Sequence, residues 1–326
     1  MSPPHPSRSD GPPSSDQDVG LVPDPPHEVI EAVVVAALDE DGMPPEACAG
    51  LRGARSLAPR RTDLTSDSIV PEHALARGRL VAKGSGVLCG VSVFSRALEV
   101  CDPAVEIELL ARDGERLAPG QEVLRAVGKA RGLLYAERTA LNFIQRLSGV
   151  ATATARYVEL CAGRAKVLDT RKTTPNLRAL EKYAVRCGGG TNHRFGLFDQ
   201  AMVKNNHADL AGVGLLDLLR GLRTKLGPAI TITSEARDLA EARAGIDGDA
   251  DVVLLDNFRP EELPAVVRTL REHARGRTRP LELEASGGIS ERNVALVAES
   301  GVDRISIGAL THSATALDFS FYLRPA

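Results

Sequence analysis

Between Asp169 and His207 the chain places Arg171, Lys172, His193, Arg194, Lys204 and His207, with the triplet Gly188-Gly189-Gly190 in their midst. The key cations follow short apolar runs: Lys166-Val167-Leu168-Asp169 leads to Arg171, and Ala201-Met202-Val203 leads to Lys204. In α/β proteins, charges at the ends of buried strands gather at one mouth, the face that binds ligands. Cations gathered there with little local acid point to an anionic ligand. Arg offers a planar fork that matches carboxylate or phosphate, and Lys a point charge. A basic solvated turn, the blander alternative, would scatter its Lys and Arg among Asp and Glu.

Two later segments have the character of phosphate cradles. Ser286-Gly287-Gly288-Ile289 follows an expected strand at 281–285, and Ile307-Gly308-Ala309-Leu310-Thr311-His312 repeats the pattern one strand later. Gly lets backbone N–H groups approach an oxyanion closely, and a helix expected from Glu291 to Ser300 adds its N-terminal dipole. Two such loops after consecutive late strands form a phosphate site common in barrels. Glu235, after an expected strand at 229–233, and Asp256, ending the strand from Val252, bring carboxylates to the same rim. There they suit a ribose hydroxyl or a Mg²⁺ shared with a diphosphate. His193, beside the Gly-rich turn, is expected as an exposed imidazole donating to a carboxylate, and His207 as a group that orients its neighbours.

The elements that must carry these groups follow from periodicity. Beyond residue 150, strands are expected near 166–170, 200–204, 229–233, 252–256, 281–285 and 304–308. Helices at 210–226, 260–274 and 291–300 separate most of them. Repeated βα units imply parallel strands, and six is short of eight, so an incomplete parallel α/β barrel is predicted over 139–326. Residues 28–138 read as a smaller open-faced α/β sandwich. A helix begins at Glu28, short alternating strands fill 76–136, and a connecting helix starts at Ala136. The last helix is expected to return to this sandwich. Residues 1–27, rich in Pro, Ser and Asp, read as a disordered tail, and 43–61 as an insertion.

Composition narrows the function classes. A net charge of −3 gives no whole-protein field for nucleic acid or membrane, and aromatics at 3% with no Trp leave no stacking platform. No apolar run is long enough to span a bilayer, and the N-terminus lacks a signal peptide's apolar core. Five Cys in no C-x-x-C pattern argue against a disulfide framework or a zinc site and for a cytoplasmic setting. Cys187 reads as a small residue packed at a helix end.

The run DTRKTTPNLRALEKYAVRCGGGTNHRFGLFDQAMVKNNH (169–207), with ERTALNFIQRLSG (137–149), LLDNF, EASGGI and SIGALTHS, resembles the quinolinate phosphoribosyltransferase family. The resemblance covers roughly 28–323. It implies transfer of phosphoribosyl from phosphoribosyl diphosphate (PRPP) to quinolinate, with decarboxylation, in a homodimer or hexamer that shares active sites. Mg²⁺ would enter with PRPP, and no organic cofactor is implied. Arg138, by local sequence a helix-surface charge, would reach the partner's site. With Arg171, His193, Arg194 and Lys204 it would hold the diacid. Lys172, Glu235 and Asp256 would serve catalysis and, with Ser286, Gly287, Gly288, Gly308 and His312, bind PRPP. Glu235 and Asp256 would also hold the Mg²⁺. One departure stands out: Thr233-Ser234-Glu235 replaces the usual Glu-x-Glu. Rival readings are a nicotinate phosphoribosyltransferase, a molybdenum-transport-associated paralogue, or a non-catalytic anion-binding module.

Overall fold

The computed structural model describes residues 23–43 and 61–326. Residues 1–22 of the tail expected at 1–27 and residues 44–60 of the expected insertion lie outside them. Residues 23–27 depart from the expected disorder, since Tyr183 Oη donates to Asp24 at 2.8 Å, Arg186 to the Pro23 carbonyl at 3.1 Å, and the first helix starts at His27. The first half holds helices α1 (His27–Gly42), α2 (Leu64–Ile69) and α3 (Val91–Cys101) and strands β1 (Leu75–Ala82), β2 (Gly86–Val87), β3 (Glu106–Leu109), β4 (Arg116–Leu117) and β5 (Glu122–Lys129). Helix α4 (Ala130–Cys161) follows. Then come β6 (Lys166–Leu168), α5 (Arg178–Cys187), β7 (Ala201–Val203), α6 (Asn205–Ala211), α7 (Leu215–Leu226), β8 (Ile232–Ala236) and α8 (Leu239–Asp247). The chain ends with β9 (Val252–Asp256), α9 (Leu263–His273), β10 (Glu282–Ser286), α10 (Val294–Glu299), β11 (Arg304–Ser306), α11 (Ala309–His312) and β12 (Phe319–Pro325).

Six parallel strands form one sheet in the order β6-β11-β10-β9-β8-β7. Strands β6 and β7 are neighbours in sequence but edges in space. The sheet is therefore a barrel left open between them, and the segment joining those two edges is the one that carries Arg171, Lys172, His193 and Arg194. A second sheet, antiparallel, runs β12-β1-β5-β3. Its strands alternate buried and exposed residues, as in Leu75–Ala82, so one face packs and the other meets solvent.

Helix α4 joins the halves. Its 32 residues make a rod about 48 Å long, and Leu133, Ala136, Ala140, Ile144, Leu147 and Ala151 are buried along it. That spacing of three and four keeps one stripe facing the core. The rod packs against α3 and β2 on one side and α5, β6 and α10 on the other. A single apolar core therefore runs through both halves, from Leu80 and Phe94 to Ile305 and Leu310.

Several expectations are corrected. The connecting helix begins at Ala130, not Ala136, and runs unbroken through the boundary expected at 138/139. Helix α3 interrupts what read as continuous strands, because its apolar positions Val91, Phe94, Ala97 and Leu98 repeat at helical spacing. The final element is a strand rather than a helix: β12 pairs antiparallel with β1, and Phe321 meets Phe94 edge-to-face at 5.4 Å. The helix expected over 210–226 is two helices, broken where Gly212 turns left-handed (φ 65°). Strand β8 starts at Ile232 rather than 229, its first N–H held by the Asp251 carboxylate at 2.8 Å. The helix expected from Glu291 begins only at Val294.

Candidate active site

At the C-terminal ends of the parallel strands lies a cavity of about 750 Å³. It is lined by twelve of the thirteen residues singled out from the sequence; Arg138 is the exception, an exposed side chain on α4. Register explains part of the convergence. Asp256, Ser286 and Ser306 are successive partners across β9, β10 and β11, so the strand ends form one row along the rim.

One wall is cationic. Among the described residues Arg171 has no hydrogen-bond or ion-pair partner for its side chain, and neither does the Lys172 ammonium. Burial, and then the charge of neighbouring Arg171, lower the pKa of the Arg194 guanidinium. Asp199 acts in the opposite sense but does not outweigh them, and a wall with this excess of guanidinium charge favours an added anion. The opposite wall is made of glycine. Gly287 (φ 91°) and Gly288 (φ 63°) turn left-handed, and a Cβ on Gly287 would sit 2.1 Å from Asn257 Oδ1. A Cβ on Gly308 would meet Lys172 Cδ at 3.0 Å and His312 at 3.2 Å. A side chain at Gly287 or Gly308 would crowd the wall, and at Gly288 the left-handed φ disfavours one; their absence leaves backbone open to a ligand. Because α10 starts four residues beyond Ser290, this loop offers its own N–H groups without the helix end expected there.

The carboxylates lie between the walls. Asp256 is pushed above the usual Asp range, first by burial and then by the charge of Glu235; Lys204 and Lys172 act in the opposite sense. Asn257, left-handed at φ 59°, donates from Nδ2 to Asp256 Oδ2 at 3.0 Å. Lys204 is not the free cation expected from the sequence. Its ammonium donates to Glu235 Oε2 at 2.8 Å across the β7–β8 pair. His207 accepts the Lys204 backbone N–H at Nδ1, 2.9 Å, and so orients the start of α6 as expected.

His193 is a second correction. The imidazole is buried (6% exposed), not exposed. Its Nδ1 accepts the Arg194 N–H at 2.7 Å and its Nε2 lies 3.3 Å from Glu284 Oε1. Glu284 is fully buried and also meets Arg304 Nε at 2.8 Å. His193 thus faces inward and fixes the Arg194 backbone.

The supporting groups were not legible as such. Asp169 Oδ1 accepts from Lys182 Nζ (2.6 Å) and from the His193 N–H (2.8 Å), and Oδ2 accepts from Asn192 Nδ2 (2.8 Å). Lys182 Nζ also donates to the His193 carbonyl at 3.0 Å. Burial raises Asp169 and lowers Lys182, each against the pull of the other. Arg146 of α4 donates to Glu181 (Nε, 3.0 Å) and to the Ala314 carbonyl (Nη1, 3.0 Å), tying the loop after β11 to α5. Glu181 in turn holds the Thr174 N–H at 2.9 Å. Neither Lys182 nor Arg146 stands out in the sequence, because their partners Asp169 and Glu181 lie thirteen and thirty-five positions away.

An open parallel barrel whose mouth pairs a cationic wall with a glycine cradle, backed by an antiparallel sandwich, is the architecture of a phosphoribosyltransferase. Residues 63–148 and 150–322 match the N- and C-terminal domains of quinolinate phosphoribosyl transferase, and the chain belongs to that family. It is 42% identical over 267 residues to the nicotinate-nucleotide pyrophosphorylase (carboxylating) of Mycobacterium leprae, covering 80% of this chain and 91% of that protein. It is 40% identical to the probable enzyme of the same name from Bacillus subtilis, over 79% of this chain and 86% of that one. The crystal structure of NadC from Streptococcus pyogenes superposes with a TM-score of 0.81 at 36% identity, over 93% of this chain and 99% of that chain.

Proposed function

We infer that this chain catalyses phosphoribosyl transfer from PRPP to quinolinate, giving nicotinate mononucleotide, CO₂ and diphosphate. The observation that carries this reading is one cavity with two walls of different chemistry: the Arg171–Arg194 wall, in which neither guanidinium has an ion-pair partner among the described residues, for a small diacid and the glycine wall for phosphate. Arg171 and Arg194 grip the carboxylates and hold the ring nitrogen toward C1 of the ribose, a proximity effect. As the bond from C1 to diphosphate breaks, Lys172 faces the departing charge and the ring nitrogen bonds to C1. The ring nitrogen is then cationic, which lets the 2-carboxylate leave as CO₂, and a solvent proton takes its place on carbon. Backbone N–H groups of Ser286–Gly288 and Gly308, with His312, hold the phosphate groups.

Glu235 and Asp256 form a hard-oxygen pair suited to Mg²⁺, since each carboxylate's charge opposes the other's and a cation between them relieves that. When bound, the ion neutralises diphosphate charge. Lys204, paired with Glu235 here, stands where both substrates meet. Arg138 is exposed and does not line its own cavity. It fits the mouth of a second subunit, so the working assembly is a homodimer with shared sites.

The test is CO₂ release from carboxyl-labelled quinolinate. Release that requires PRPP and Mg²⁺ and matches nicotinate mononucleotide one-for-one is expected. Folded protein that binds PRPP but releases neither CO₂ nor diphosphate would sink the reading.

A further inference from the structure

A second constellation lies outside the catalytic cavity, where the two halves of the chain meet. Cys89, in the turn entering α3, and Cys187, the last residue of α5, are both buried. With the Asp113 carboxylate, from the turn between β3 and β4, their ligand atoms all lie within 4.8 Å of one another. We propose that Cys89, Cys187 and Asp113 are a structural site for a zinc-type divalent cation, which staples the sandwich half to the segment bearing His193 and Arg194.

The donor set is the first support. Two sulfurs and one carboxylate from three separate elements suit a borderline-soft ion that prefers four ligands. Sulfurs on a tetrahedral zinc sit about 3.8 Å apart, given bonds of about 2.3 Å. Side-chain rotation of roughly an ångström therefore closes the site.

Hydrogen counting is the second. Tyr183 Oη lies 2.8 Å from Asp24 Oδ1 and 2.9 Å from Asp113 Oδ2. One hydroxyl hydrogen serves only one of the two at a time. The other donors are neutral, the Gly90 and Val91 N–H groups to Asp113 and the Ser92 hydroxyl to Asp24 at 3.5 Å, so the cluster has room for a positive charge, a proton or a metal. Asp24 and Asp113 form no ion pair among the described residues. Arg186 instead lies 5.7 Å from the Tyr183 ring centroid and donates to the Pro23 carbonyl at 3.1 Å. Five acidic side chains (Asp24, Cys89, Asp113, Tyr183, Cys187) thus share a pocket with no carboxylate-bound cation.

Preorganisation is the third. Asp113 accepts the N–H groups of Gly90 (2.9 Å) and Val91 (3.1 Å), and Ser148 Oγ accepts the Cys89 N–H at 3.0 Å. Such outer contacts are what aim ligands at a metal. The ion would displace one proton from each thiol, with no redox change. The fourth position falls to water or to Asp24, one hydrogen bond away through Tyr183.

The sequence spacing gave no hint of this site, since residues 89, 113 and 187 match no zinc pattern. The test uses the full chain, stripped by a chelator and titrated with Co²⁺. Thiolate-to-cobalt charge-transfer absorption that saturates at one equivalent is expected, with its loss on adding Zn²⁺. Zn²⁺ should raise Tm by about 5 °C, and a chelator should reverse the rise. Cys89→Ser and Cys187→Ser should each abolish the band, while Cys101→Ser keeps it. Co²⁺ held by Glu235 and Asp256 gives no sulfur band, so catalytic metal does not confuse the result. If the serine variants fail to fold, the wild-type absorption decides alone. No charge-transfer band, a band surviving in both serine variants, or a Cys89–Cys187 disulfide in the purified protein would overturn the proposal.

Discussion

Under the proposed function, substrate recognition turns on Arg171, because its guanidinium has no protein partner among the described residues and its charge acts on neighbouring Arg194. Removing one charge-assisted, forked contact costs about 1.5–3 kcal/mol, or roughly 10–100-fold. Arg171→Ala is therefore expected to raise KM for quinolinate by that factor while leaving PRPP affinity, measured by calorimetry, nearly unchanged. An equal loss of both would reassign the residue. Asp256 sets a different dependence. Its pKa is raised by burial and then by Glu235, so it takes up a proton at a higher pH than an ordinary Asp. Mg²⁺-dependent PRPP affinity should be full above that pKa and fade as pH falls through it. Lys172→Met, which removes a charge that opposes the rise, should move the acid limb to higher pH; an unmoved limb would count against Asp256 as the titrating group.

At the scale of elements, the loops on either side of α5, between β6 and β7, must hold cations close together without regular structure of their own. The buried Asp169–Lys182 pair supplies the hold, joined at 2.6 Å and tied to both the N–H and the carbonyl of His193. Both side chains are nearly inaccessible, 0% and 3% exposed. Lys182→Met leaves a buried carboxylate unpaired and is expected to cost about 3–5 kcal/mol in denaturant unfolding. The double variant with Asp169→Asn should recover part of that, whereas simple additivity would mean the two do not act together. Thr233 makes the converse case. It is fully buried and its hydroxyl has no partner, so nothing in the strand asks for a polar group there. Thr233→Val should keep stability within about 1 kcal/mol and keep turnover. A large loss of kcat would show that the hydroxyl serves the substrate.

For the whole molecule, Arg138 is the one expected substrate contact that does not line the cavity. Under the proposed function a second copy would supply it. With quinolinate held below the wild-type KM, Arg138→Ala and Arg171→Ala should each lose most activity, and mixed subunits should regain part of it, because one of the two sites in a mixed dimer carries neither lesion. No recovery in verified heterodimers would place Arg138 outside the active site. No described helix is long and apolar enough to cross a membrane.

By itself the sequence determined the alternation of strands and helices after residue 150, and with it the rim on which the charged residues stand. Apolar periodicity and strand-end placement are local properties, so Arg171, Lys172, Arg194, Glu235, Asp256 and the two glycine loops could be read before any coordinates. Strand ends shifted by a few residues, as at β8, because a capping contact from Asp251 lies nineteen residues away. Tertiary structure alone decided which charges are free and which are engaged. Lys204 and His193 look like Arg171 in sequence, yet one is paired with Glu235 and the other faces Glu284 beneath the rim. It also decided that Lys182 is interior and paired with Asp169, and that Cys89 and Cys187, ninety-eight positions apart by their numbers, bring their sulfurs within 4.8 Å. Pairing across long separations is set by packing of the halves about α4, and no local pattern encodes it.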